Sequence, residues 1–135
     1  MRDEGLEVSE LYPQGASHIL GKATQIDFAA DTFKILFYSG SFASANEYVS
    51  DLTGADIVAR SGALSGITIT SGVIDANDIT VTAVSGSAFS EVVLYKDTGS
   101  DASSPLIAIF DISSFTPSGG DISVVFNASG LFSIA

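Results

Sequence analysis

The amino-acid sequence predicts an all-β fold, an antiparallel β-sandwich of jelly-roll or immunoglobulin-like type, with an extended N-terminal arm and one short helix. Three observations carry that expectation. Runs such as "GITIT" and "DITVTAV" alternate Ile67, Ile69, Ile79 and Val81 with Thr68, Thr70, Thr80 and Thr82, which is the period of a half-buried strand. Gly, Pro, Ser and Asp close these runs at fairly regular intervals. No connecting segment in between is long enough for a crossover helix, so neighbouring strands are expected to pair antiparallel. At 135 residues the chain fits one ordinary domain, able to hide roughly two thirds of its unfolded surface without a disulfide or metal staple.

The elements follow in order. Residues 1–23 show no sustained period of 2 or 3.6 and read as an arm. Their apolar residues Leu6, Val8, Leu11, Tyr12, Ile19 and Leu20 are too many for a solvated tail. These six are the expected contacts to a partner or a neighbouring subunit, and docking on the chain's own body is the other reading. Residues 24–135 form the expected β-sandwich domain. In "TFKILFY", Phe33, Ile35 and Phe37 face one way and Leu36 and Tyr38 the other, as in a central strand covered on both sides. The stretch from Ala43 to Arg60 holds the single expected helix, with Ser44 capping Asn46 to Leu52 and Gly54 stopping it. "GITIT", "DITVTAV", "SEVVLYK", "PLIAIFD", "DISVVFN" and "LFSI" are the remaining strands, and "TPSGGD" joins two of them with residues that tolerate positive φ. The expected core is Phe33, Ile35, Phe37, Ile67, Ile69, Ile79, Val81, Val92, Leu94, Ile107, Ile109, Ile122, Val124 and Phe126.

Composition removes several kinds of chemistry. With no cysteine, thiolate catalysis, disulfides and thiolate metal sites are excluded. Sixteen acidic residues against five basic ones give a formal charge of −11, which repels phosphate backbones and anionic headgroups. Neither nucleic acid nor a membrane surface is therefore an expected partner. The longest apolar run, around Ile35 to Tyr38, falls far short of the ~20 residues of a membrane helix. "MRDEGLEVSE" is acidic and has no apolar h-region, so no secretory signal is expected.

The only histidine, His18, lies in the arm, a poor mount for a catalytic base; local hydrogen bonding or a partner contact is the better reading. Zinc lacks ligands. Asp75, Asn77 and Asp78 in "DAND", with Asp97 and Asp101 in "KDTGSD", could offer oxygens to calcium, but their spacing matches no calcium loop and plain corners are expected. Glycoside cleavage by paired carboxylates normally goes with aromatic platforms, and the chain has no tryptophan and no strip of tyrosines. No glycine-rich phosphate loop with its lysine is present. No enzymatic activity, cofactor or metal is expected.

One resemblance adds a class. The stretches "SDLTGADIVARSGALSGITITSGVIDANDITVTAVSG", "EVVLYKDTGSDASSPLIAIFD" and "PSGGDISVVFNASGLFSI" resemble a family of small structural proteins of tailed bacteriophages. The shared order is a Leu and Thr pair near an Ala-Arg strand, a Gly-Val-Ile-Asp-Ala corner, a Tyr-x-Asp-Thr-Gly strand end and a Gly-Gly-Asp-Ile entry to a final strand pair. The likeness runs from about residue 32 to residue 135. It implies a virion component on the outer capsid surface, a decoration (cement) protein whose partner is the major capsid protein and which associates with itself as a homotrimer. It carries over no catalytic residue. A head-tail connector or tail component, and a carbohydrate-binding adhesive β-module, are the alternatives.

Overall fold

A computed structural model describes residues 10–22, 25–127, 130 and 132–133, and the chain is all-β and antiparallel. Its elements are β1 (Glu10–Leu11), α1 (Pro13–Ile19), β2 (Phe33–Tyr38), β3 (Ile57–Arg60), β4 (Thr68–Thr70), β5 (Val73–Asp75), β6 (Ile79–Val81), β7 (Phe89–Lys96), β8 (Leu106–Phe115), β9 (Ile122–Val124) and β10 (Phe132–Ser133). A five-stranded sheet runs β1-β8-β7-β2-β3, a three-stranded one β10-β5-β4, and β6 pairs with β9.

The two-sided pattern of β2 is realised. Phe33, Ile35 and Phe37 enter one buried cluster, together with Val92, Leu94, Ile107, Ala108 and Phe110 of the same sheet, Ile74, Val81, Ile122 and Val124 from the two smaller ones, and Phe126 just after β9. Leu36 and Tyr38 enter a second cluster on the opposite face, with Val93, Tyr95, Leu106 and Ile109. No second sheet closes that face among the described residues. It is covered by Tyr12 and by Phe42, Val49 and Leu52 from the long β2–β3 connection, with Ile57 at the start of β3.

Four expectations are corrected. Ile107 and Ile109 are both buried, but on opposite faces. The β7–β8 register slips between Leu94 and Tyr95, and such a bulge puts Leu106 and Ile109, which strict alternation would separate, on one side. Ile69 is 52% exposed, because β4 is the outer strand of its small sheet and all three of its residues face water; Ile67 and Ile79 are half-buried.

The short helix is also elsewhere. Over 46–52 the backbone of Glu47 and Val49 bonds to Leu106 and Ser104, and Tyr48 bridges Pro105. Those strand-like contacts use the groups a helix needs, leaving single 3₁₀ turns at Val49–Asp51 and Gly54–Asp56. The Asp51 carboxylate closes the first turn by accepting the N–H groups of Glu47 and Tyr48. Finally, residues 10–22 of the expected extended arm are a two-residue strand and the only α-helix among the described residues, lying on the chain's own sheet. Pro13 opens that helix at a position where its missing N–H costs nothing.

Besides β1, the strand β5 went unread. Ser71 and Gly72 both have positive φ, 51° and 78°, the geometry of a two-residue hairpin turn. The turn folds Val73–Asp75 back on Thr68–Thr70.

Candidate docking surface: the N-terminal segment and its seat

The segment is anchored at three levels. Its backbone joins the sheet where Glu10 and Leu11 pair with Ile109 and Ala108 and the Tyr12 N–H donates to the Ile107 carbonyl at 2.9 Å. Its side chains divide by alternation: Leu11 packs against the first cluster, whereas Tyr12 is fully buried in the second. There the Tyr12 ring meets Phe42 at 5.0 Å between centroids. The helix α1 then crosses β8 closely enough that Gly15 lies against the Leu106 carbonyl, in a space where a Cβ would collide with backbone.

His18 supplies the third anchor. It is fully buried, and its Nε2 is 2.8 Å from Glu47 Oε2. The same oxygen accepts from Lys22 Nζ at 2.9 Å. The Lys22 ammonium, and after it His18, hold the Glu47 carboxyl below its ordinary range, against the opposing pull of partial burial. One carboxylate on the β2–β3 connection thus holds His18 in the last helical turn and Lys22 just beyond the helix. The expectation of a local hydrogen bond or a partner contact for His18 is thus replaced by a contact within the chain to a residue 29 positions away.

Of the six expected contact residues, Leu6 and Val8 lie outside the described residues. Leu11, Tyr12 and Ile19 are used within the chain itself, with Ile19 half-buried against the first cluster. Leu20 is 84% exposed at the end of the helix.

A pair of carboxylates missed at the sequence level lies near the segment, one half-buried and one exposed. Glu91 on β7 stands directly opposite Asp111 on β8 and, on its other side, opposite Tyr38 on β2. Burial, then the hydrogen bond and charge of Asp111, push the Glu91 carboxyl up to about 8. Burial, then Tyr38 and Glu91, push the Tyr12 phenol up as well. Glu91 and Asp111 are far apart in sequence, and only strand register brings them together; no local motif could have found them.

The remaining charges close on one another. Lys34 pairs with Asp97 at 2.8 Å, Arg60 with Asp101 at 2.7 Å through a two-pronged contact, and Lys96 with Asp31 at 3.0 Å. Lys34 and the Gly99 N–H lower the Asp97 carboxyl, and Arg60 lowers that of Asp101. The "DAND" residues serve the backbone: Asp75 accepts the Ala76 N–H and Asp78 the Phe126 N–H, while Asn77 contacts Ser65. Among the described residues no group of three or more His, Asp or Glu side chains is placed to hold a metal ion. A cleft of about 330 Å³ is lined by Gln25, Ile26, Asp27, Phe28, Asp31 and Ile69. Its two carboxylates are engaged within the loop, accepting the N–H groups of Ala29 and Asp27.

No protein-family model matches the chain, and no curated protein matches it.

Proposed function

We propose that the chain is a structural virion protein that binds the outer surface of a tailed-phage capsid, as a homotrimer, and cements neighbouring capsid subunits. The class comes from the ordered motifs of the sequence. In the fold they fall on Ala59-Arg60 of β3, Gly72 to Ala76 around β5, Tyr95 to Gly99 at the end of β7, and Gly119 to Ile122 at the entry to β9. The observation that carries the reading further is Leu20, a large apolar side chain 84% exposed on a helix that buried Tyr12 and His18 hold in place. A rigidly mounted apolar residue next to water is the form of a docking point, since little ordering entropy is lost when it is covered.

Electrostatics agree with that role. Each described lysine and arginine is paired within the chain, and the chain as a whole carries a formal charge of −11. Such a charge keeps the free protein soluble and directs it to less acidic partners. The reading assigns a binding task with no catalysis. Its test is the copy number of the chain in purified particles, measured by quantitative mass spectrometry against the major capsid protein. Hundreds of copies are expected; six or twelve would move the chain to a connector or tail, and none would overturn the reading.

A further inference from the structure

The carboxylate pair near the N-terminal segment does not belong to a docking point, and its chemistry is unusual for a sheet. Like charges directly opposite on adjacent strands repel, yet Glu91 and Asp111 are register partners. Both lie on the face that carries Tyr38, Val93, Tyr95 and Ile109. Glu91 is half-buried, and its Oε2 is shielded from water without a hydrogen-bond partner. A pair so placed is stable when one proton is held between its two carboxyls, because a carboxylic acid donating to a carboxylate makes a short, charge-assisted bond.

The groups facing the pair come from each element around it. Tyr38 of β2 is the other register partner of Glu91. Tyr12, whose hydroxyl is buried and unpartnered, is buried on the same face from the β1–α1 junction, close enough for the Glu91 charge to act on its phenol. Glu10 of β1, exposed, is paired with Ile109 on the neighbouring stretch of β8. None of these groups is cationic. The described cations, Lys22, Lys34, Arg60 and Lys96, are each paired with a different carboxylate.

We propose that the Glu91–Asp111 pair is a proton-operated catch on the N-terminal segment: with one proton shared, residues 10–22 stay seated across β8, and loss of that proton frees them from the sheet. Once ionised, the half-buried Glu91 demands water and is repelled by the exposed Asp111 opposite. Of the structures around them, β2, β7 and β8 are joined by long ladders, whereas β1 is held by two residues. The segment is accordingly the wall that gives. Leaving, it removes Tyr12 from beside Glu91 and admits solvent to that half-buried charge, whereas Asp111 is exposed already. The direction of Glu91's titration, upward through burial and Asp111, is the same physics seen from the proton's side. The catch is a property of the chain alone, and its test needs no particle.

The measurement is amide hydrogen exchange by mass spectrometry on the full chain at about pH 6 and about pH 9, each rate normalised to its intrinsic pH-dependent value, across the window in which such a pair titrates. Peptides covering residues 10–22 are expected to lose protection at least tenfold at the higher pH, while peptides of β7 keep theirs. Glu91→Gln, which cannot ionise, is expected to hold the segment at both values. Asp111→Asn gives the same result by replacing the repelling partner with an amide donor, and stands in should Glu91→Gln fail to fold. Unchanged protection in the wild type, an equal loss in β7, or a loss that persists in the folded variant would each overturn the proposal.

Discussion

Gly15 shows how a single residue can be read against its local propensity. Inside a helix, glycine is worse than alanine by about 1 kcal/mol, so Gly15→Ala ought to help α1. The structure reverses the sign, because the new Cβ would meet the Leu106 carbonyl of β8, and a backbone atom in a five-stranded sheet does not turn aside. Gly15→Ala is expected to lower stability by about 1–3 kcal/mol, the range for overpacking, read as a fall in the urea midpoint; a rise would mean that α1 does not rest on β8. Glu91 makes a different prediction. Its carboxyl is raised from 4.5 to about 8 by burial and by Asp111, so between those values the folded chain keeps a proton that the unfolded chain has lost. Stability therefore falls as pH rises through that window and levels off above it. Urea midpoints followed from about pH 5 to about pH 9 are expected to decline in the wild type and to stay flatter in Glu91→Gln. Parallel curves would show that Glu91 ionises as an ordinary surface acid. Asp97 and Asp101, whose carboxyls are lowered by Lys34 and Arg60, act in the opposite sense and at more acidic pH, so they do not mask this window.

The strands show what alternation can and cannot reveal. The opposed faces of Phe33, Ile35, Phe37 and of Leu36, Tyr38 were legible because β2 runs without a break and its side chains simply alternate. The same reasoning failed in β8, where the slip opposite Leu94 and Tyr95 depends on the partner strand, and in β4, where the position at the edge of a sheet decides exposure. The helix expected over Asn46 to Leu52 was lost to backbone contacts with residues 104–106. Those contacts join parts of the chain that are distant in sequence, so no window of local propensity contains them. Within the candidate docking surface, the six apolar residues of the first 20 were picked out by composition, but which of them point inward required the pairing of β1 with β8. A paired substitution checks the edge assignment. Ile69→Thr is expected to change stability by no more than about 0.5 kcal/mol, as at an open surface site. Ile35→Ala, at a position with no exposure, is expected to cost about 2–5 kcal/mol. Thermal or urea unfolding of the two variants distinguishes them, and similar losses would place β4 in the core.

The whole molecule is organised around one sheet with two different covers. The first face shares its cluster with residues of the two smaller sheets. The second is closed by side chains from the N-terminal segment and the β2–β3 connection. The segment is thus part of the core and, through Leu20, part of the surface, and the two duties fall on neighbouring residues that substitution can separate. Tyr12→Ala removes a fully buried ring from the second cluster and is expected to cost about 3–5 kcal/mol, the range for truncating a large core aromatic. A failure of that variant to join particles would therefore say nothing specific about contact. Leu20→Asp changes a side chain already in water and is expected to leave the unfolding midpoint within about 0.5 kcal/mol of wild type. If the exposed leucine is covered on the capsid, an ionised carboxylate in its place must lose its hydration there. Particles assembled without the chain and incubated with equal amounts of wild type or Leu20→Asp are then expected to retain at least tenfold less of the variant after sedimentation. Equal retention of a variant that folds as well as wild type would remove Leu20 from the docking surface and leave the outer faces of the strands to carry it.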